Sequence, residues 1–153
     1  MIQRIQSIWL FLAALSISCL LFLPMITSKN LIGVEFYIIA SGLYQKLGNT
    51  ENVVENFYPL LIGVIAVVLL CIANIFNYKK RDFQKKTIYG TIVLIMALSF
   101  WCSQYAKRIP GGIENSDYEV GLFLPPLAIA FCLLAVRGIS RDQKLLKSAD
   151  RLR

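Results

Sequence analysis

Four long stretches of the chain contain no Asp, Glu, Lys or Arg, and this feature limits the possible folds more than any other. They contain 24, 23, 20 and 17 residues and cover 84 of the 153 residues: Ile5–Ser28, Asn56–Tyr78, Thr87–Ala106 and Val120–Val136. A helix needs about 20 apolar residues to cross a hydrocarbon core of roughly 30 Å. Because buried helices of soluble proteins rarely run so far without a charge, the pattern predicts four transmembrane helices.

The composition favours a membrane protein of one domain. Hydrophobic residues make up 57% of the chain and charged residues 16%, against about 45–50% and about 25% in soluble domains. The net charge of +7 would suggest nucleic acid in a soluble protein, but in an apolar chain it indicates basic cytoplasmic loops and no nucleic acid. The chain has no histidine, which removes the commonest general base and metal ligand.

The first apolar stretch has an alternative interpretation as a cleaved signal peptide. It follows a short N-terminal region with one arginine, Arg4. However, its apolar core is longer than the usual 7–15 residues, and no small-x-small cleavage site follows Pro24. An uncleaved first span is therefore favoured.

Lys and Arg are concentrated on one predicted side of the membrane. The N-terminus, the connection 78–86 and the C-terminal segment hold 12 of them, whereas the other two connections hold 4. Since basic residues are retained in the cytoplasm, we expect both termini and the loop 78–86 inside and the loops 27–56 and 107–118 outside. With the acidic residues included, the net charge is +9 inside and −2 outside. The inner side is expected to contact anionic lipid headgroups.

The loop 27–56 is too long for a turn and too apolar for an unstructured loop. Apolar side chains occupy alternate positions of one segment, as in a half-buried strand: Ile32, Val34, Phe36 and Ile38. Ser41–Gly42 is a turn signal, so we expect a β-hairpin, although a helical spacing of the apolar residues also fits. Asp117–Val120 could add a further strand.

The predicted fold is thus an all-α membrane protein, an antiparallel four-transmembrane-helix bundle that carries a small extracytoplasmic β-hairpin or sheet. The chain forms a single integral membrane domain, residues 1–153. Its spans are expected at about residues 5–26, 57–77, 87–106 and 119–137, and residues 138–153 form a cytoplasmic tail.

The tail is predicted to form a basic amphipathic helix, either separate or continuous with the fourth span. Ser140–Gln143 matches a capping box, and apolar and basic residues then recur on neighbouring faces. We expect the tail to fold back and place Asp150 or Asp142 near Arg4, unless it lies on the lipid surface. The predicted cytoplasmic interface comprises Arg4, Arg141, Lys144, Lys147, Asp150, Arg151 and Arg153.

The spans offer packing residues and no catalytic group. Small and hydroxyl residues that allow close helix contact share one face of the first span: Ser7, Ala14 and Ser18. Pro125 and Pro126 should bend the fourth span or mark its first turn. The four cysteines, one in each span, lie at two predicted depths, so they cannot enclose one metal ion. No ionisable group lies deep in a span, and we therefore predict no catalytic, cofactor or metal site.

Two terminal motifs carry a family resemblance. Met1–Gln6 and Lys147–Arg153 resemble the ends of a family of small four-span membrane proteins of Bacteroidota, a domain of unknown function, and Arg137–Ile139 also fits. The resemblance covers the whole chain. It implies a multi-pass protein of the bacterial inner membrane and assigns no catalytic residue.

These features predict a non-enzymatic accessory or scaffold subunit of an inner-membrane complex, with other membrane proteins as partners. The alternative is a protein that binds or transports a small hydrophobic molecule or a lipid. The bend expected at Pro125–Pro126 and aromatic residues near the outer surface motivate the alternative, although aromatic residues also favour membrane interfaces without a ligand.

Overall fold

The computed structural model describes residues 3–29, 34–48, 50–77, 80–110 and 116–150. The side chains of Gln3, Arg4, Leu146, Lys147, Ala149 and Asp150 lie outside this description. The helices of the described part are α1 (Gln3–Cys19), α2 (Tyr58–Phe76), α3 (Arg81–Ala106) and α4 (Leu124–Asp150). Its strands are β1 (Ile26–Lys29), β2 (Glu35–Ile39), β3 (Gly42–Leu47), β4 (Thr50–Asn56) and β5 (Ser116–Tyr118).

The five strands form one antiparallel sheet in the order β4-β3-β2-β1-β5. β2 and β3 are the hairpin that the alternating apolar residues predict, and Tyr37 lies opposite Tyr44. β5 joins β1, with Ile26 opposite Tyr118. Gly42 faces the Glu55 carbonyl group so closely that a Cβ atom would have no room, so a glycine is required where β3 meets β4.

The prediction of an all-α four-helix bundle is wrong. The protein is a mixed α and β protein with four helices and a five-stranded sheet. β4 escaped prediction because it is an edge strand whose side chains are almost all exposed, so it has no apolar face to alternate with a polar one. β1 is not predicted either, because its first residues continue the first apolar stretch without a change in composition.

Within the described residues, three helical segments are long and apolar enough to cross a membrane, whereas the sequence predicts four spans. They are α2, α3 and the segment Val120–Leu145, whereas Ile5–Cys19 of α1 is a shorter apolar helix. α1 is short because backbone bonds from Leu20, Leu21 and Phe22 to carbonyls three residues earlier tighten its end, and Pro24 cannot continue a helix. The rest of the predicted first span forms strand β1.

All four helices reach the sheet at one end. α1 runs antiparallel to α4, with Trp9 and Phe131 stacked at 5.8 Å between ring centroids. On the other side α1 packs against α2, and α3 packs between α2 and α4. Cys71 of α2 and Cys132 of α4 are both buried in the core between the helices. Fully buried apolar side chains fill the space between the helices: Leu10, Ile17, Leu60, Val64, Ile88, Ile95 and Ile139.

The tail continues α4 without a break to Asp150. The expected capping box at Ser140–Gln143 is wrong, because these residues lie inside the helix and the Gln143 side chain donates to Asp82 Oδ1 on α3 instead. A helix of 27 residues is about 40 Å long, so α4 extends beyond its apolar part. The tail is therefore a continuation of the fourth helix, as one of the two predicted alternatives has it, and not a separate helix.

Candidate functional site

Four buried polar side chains, one from each helix, lie at the end of the helices away from the sheet. Gln6, Asn74, Gln84 and Asp142 are 8%, 1%, 4% and 6% exposed. We call these four residues the polar layer. Burying polar groups costs free energy unless they are hydrogen-bonded, so the bonds within this layer decide what it contributes.

Hydrogen bonds in the polar layer join the helices in two pairs. Gln6 Nε2 donates to Asp142 Oδ2, which ties α1 to α4. Gln84 Nε2 donates to the Asn74 carbonyl at 3.0 Å, and Asn74 Nδ2 donates to the Gln84 carbonyl at 3.4 Å. Within the described residues, Asp142 Oδ1 and Asn74 Oδ1 accept no hydrogen bond, and the buried Nη1 of Arg81 donates none. The layer therefore fixes the register of the helices and retains unused polar atoms.

The sequence identified only part of this layer. The sequence predicts Asp142 or Asp150 near Arg4. In the structure Asp142 accepts a hydrogen bond from Gln6, two residues after Arg4, and the Arg4 side chain is outside the described part. The sequence does not predict the burial of Gln84, because this residue closely follows four charged residues, Lys79–Asp82, within the segment 78–86 that is predicted to be a cytoplasmic loop. Its placement on the inner face of α3, four residues before the buried Ile88, is the signal that could have revealed it.

The predicted cytoplasmic interface is only partly described. Arg141 and Lys144 are exposed on α4, at the end that holds the polar layer. Lys147 and Asp150 lie on the same helix with side chains outside the described part, and Arg151 and Arg153 lie outside the described residues. The members with described side chains, Arg141 and Lys144, lie along the surface of one helix and do not surround a common binding site.

The predicted packing residues take different positions. Ala14 is buried at 4% exposure, whereas Ser7 and Ser18 are half-buried, and the Ser18 hydroxyl donates to the Leu15 carbonyl at 2.8 Å. Pro125 and Pro126 lie in the first turn of α4, where the missing N–H costs nothing. They mark the start of the helix, which is one of the two outcomes expected for them.

Strand β4 forms one edge of the sheet, and its end is anchored to α3. The Glu55 carboxylate accepts a hydrogen bond from Arg108 Nη1 at 2.7 Å, and the Arg108 guanidinium lies 5.1 Å from the centre of the Tyr105 ring. Phe57, fully buried directly after β4, stacks on Tyr105 at 3.9 Å. The strand is therefore held firmly, while Val53 and Val54 stay 51% exposed.

The sheet face that carries Tyr37 and Tyr44 has a small aromatic and charged patch. The two rings stack at 5.3 Å with only 8° between their planes. Burial and the neighbouring Glu51 carboxylate, to which the phenol is hydrogen-bonded, raise the pKa of Tyr37. Beside them, Lys29 Nζ lies 3.0 Å from Glu35 Oε1, and this contact raises the pKa of Lys29. Exposed pairs like this one contribute little stability.

A cleft of about 160 Å³ lies between the sheet and α3. Its lining is mainly apolar and includes Met25, Ile38, Cys102 and Tyr118. A cavity of about 150 Å³ accommodates benzene, so this cleft has room for a small apolar group and not for a whole lipid.

Side chains able to hold a metal ion do not assemble in the described residues. No three His, Cys, Asp or Glu side chains come together there. All four cysteines are free thiols.

The match to known families covers nearly the entire chain. A family model described as a domain of unknown function, DUF4293, matches residues 2–152. No curated protein matches the chain. The family match agrees with the resemblance of the two terminal motifs to a domain of unknown function. The chain therefore belongs to the DUF4293 family.

Proposed function

We propose that the protein is embedded in a bacterial inner membrane, with the sheet outside and both termini in the cytoplasm. The three long apolar helical segments support the membrane location. Gln143 of α4 is bonded to Asp82 of α3, so the basic segments around these residues share one end of the molecule. Basic residues at that end stay cytoplasmic: Lys80, Arg81, Lys85, Lys86, Arg137, Arg141 and Lys144.

Reporter fusions test this orientation. A reporter that is active only outside the cytoplasm is expected to be active when fused after Lys46, on β3, and silent when fused after Lys85, on α3. A cytoplasm-specific reporter at the same two positions should give the reverse pattern. Activity of the periplasmic reporter at Lys85 together with silence at Lys46 would refute the orientation.

We further propose that the protein is a non-enzymatic accessory or scaffold subunit that presents its sheet to other membrane proteins. The observation that carries this proposal is the firmly held, unpaired edge of β4. An edge strand offers a row of free N–H and C=O groups to an additional strand. Natural edges are blocked by charged side chains, especially lysine, by proline or by β-bulges. Thr50–Asn56 contains neither lysine nor proline, and its protection is limited to two glutamates and to the bulge at Val54, between the pairs Leu43–Glu55 and Tyr44–Val53.

The chemistry of the edge favours an extended, basic segment of a partner protein. β4 places Glu51 and Glu55 beside the two exposed valines. Glu51 is hydrogen-bonded to the Tyr37 phenol and Glu55 is paired with Arg108, yet both carboxylates stay partly open to solvent. A second copy of β4 suits the edge less well, because antiparallel pairing centred on Val53 would set Glu51 opposite Glu55.

Lysine substitutions on the edge test this role. Val53→Lys and Val54→Lys are expected to reduce recovery of the partner after gentle detergent extraction about tenfold, equivalent to about 1.4 kcal/mol. Both introduce a charge where an added strand would pack. Leu47→Lys is the matched control, since Leu47 is 53% exposed on the inner strand β3, and it should leave recovery unchanged.

A photoreactive residue at position 54 identifies the partner directly. We expect it to crosslink in membranes to the same protein that the affinity capture recovers, as measured by mass spectrometry. Recovery of the protein without a stoichiometric partner, or equal losses with Leu47→Lys and Val54→Lys, would contradict the scaffold proposal.

A further inference from the structure

A cleft of about 310 Å³ lies where α2 ends and α3 begins. Phe76, Asn77, Lys80 and Phe83 line it. The side chains of Phe76 and Phe83 are 74% and 55% exposed. The cleft therefore combines two apolar walls with one amide and one ammonium group.

The cations at this cleft have no acidic partner in the described part of the chain. No described carboxylate lies within ion-pair distance of Lys80 or Arg81, and the nearest acid in sequence, Asp82, accepts a hydrogen bond from Gln143 Nε2 at 2.9 Å. Next to Lys80 in the chain, though not part of the cleft lining, Arg81 has an Nη1 atom that is buried without a hydrogen-bond partner among the described residues. A buried charged donor without an acceptor is costly, so this corner of the molecule favours an anion.

The cleft also lies at the boundary between apolar and basic surface. α2 carries no charged residue from Tyr58 to Phe76, and the charged residues begin with Lys79 and Lys80. If the helices are embedded as proposed above, this boundary coincides with the lipid headgroups. A free phosphate ion would use the polar groups of the cleft but would leave both phenyl rings without a contact.

We propose that this cleft binds the headgroup of an anionic phospholipid. The Lys80 ammonium and the Asn77 side-chain amide donate to the phosphate oxygens, while Phe76 and Phe83 contact the glycerol and the first methylene groups of the acyl chains. The inference rests on the proposed membrane location and is independent of the scaffold role.

Native mass spectrometry of the full chain, released from vesicles of equal parts phosphatidylglycerol and phosphatidylcholine, tests this site. The protein is expected to retain phosphatidylglycerol preferentially. Lys80→Gln should weaken that retention about fivefold, as loss of one charge near a headgroup predicts. Phe76→Ala, which keeps the charge, should also weaken it. Lys86→Gln is the matched control, because Lys86 is an exposed residue of the same helix outside the cleft lining, and it should retain the lipid like the original protein.

Three outcomes would overturn the site. Equal losses with Lys80→Gln and Lys86→Gln would indicate general attraction of a basic surface. Displacement of the lipid by inorganic phosphate, with no effect of Phe76→Ala, would indicate a simple anion site. Full insertion into vesicles without a preference for phosphatidylglycerol would refute the site while leaving the membrane location intact, whereas failure to insert would refute the membrane location itself.

Discussion

Replacing Gly121 with alanine is expected to lower the free energy of unfolding by about 1–3 kcal/mol, the typical range for overpacked sites. Gly121 lies in the 3-10 turn Val120–Phe123 that leads into α4, and its N–H donates to the Pro24 carbonyl at 3.0 Å. A Cβ atom would lie 2.5 Å from that carbonyl oxygen and 2.8 Å from its carbon. Because both are backbone atoms, they cannot move aside as a flexible side chain can.

Gly90→Ala on α3 is the matched control. A Cβ atom at Gly90 would meet no atom within 4 Å, and alanine is favoured over glycine inside helices by about 1 kcal/mol. Thermal unfolding in detergent, followed by tryptophan fluorescence, should therefore show a lower midpoint for Gly121→Ala and an equal or higher one for Gly90→Ala. Equal midpoints for Gly121→Ala and the original protein would refute the close contact between Pro24 and Gly121.

The sequence predicts elements best where a segment is either apolar throughout the length of a membrane span or alternates regularly between apolar and polar residues. The apolar residues of α2 contain no charge over 19 residues, and the β2–β3 hairpin alternates between Phe36 and Ile38 on one side and Tyr37 on the other. Each of these patterns has one dominant explanation, since burial selects side chains with the period of the element. The structure contains a helix and a hairpin at these positions.

Prediction failed where one apolar stretch serves two elements or where an element has no buried face. Ile26 continues the apolar run of α1, yet it pairs with Ile38 in the sheet, and composition cannot reveal the change from helix to strand. β4 alternates Glu51, Val53 and Glu55 with similarly polar neighbours, so its two faces look alike. Its place in the sheet depends on pairing with β3, a tertiary contact that local propensity does not encode.

The chemical character of the residues at the candidate sites could be predicted from the sequence, but which of these residues lie close together could not. The sequence shows that Lys80 is basic and that an apolar segment ends near Phe76. Both facts indicate that this part of the chain lies at the depth of the lipid headgroups. The sequence does not show that the turn leaves a cleft between Phe76 and Phe83. Likewise, Gln6 and Asp142 are separated by 136 residues, and only the antiparallel packing of α1 on α4 brings them together.

Replacing Gln6 with leucine is expected to cost about 3 kcal/mol, because it leaves a buried charge acceptor without a donor. Asp142 is 6% exposed, and in the described part of the chain the Gln6 amide is the only hydrogen-bond donor to its side chain. Adding Asp142→Leu to this variant should restore part of the loss, since replacing both partners with apolar groups removes the unsatisfied acceptor. Unfolding midpoints of the two single variants and the double variant give the interaction energy between the two sites.

The Gln143–Asp82 hydrogen bond provides the control for this experiment, because it has the same chemistry at the same end of the helices but is exposed. Water can replace the lost partner there, so Gln143→Leu should cost no more than about 0.5 kcal/mol. The comparison separates burial from bond type, since both variants remove a glutamine amide from an aspartate. If Gln6→Leu and Gln143→Leu lower the unfolding midpoint equally, or if Asp142→Leu adds fully to Gln6→Leu, the polar layer does not couple α1 to α4.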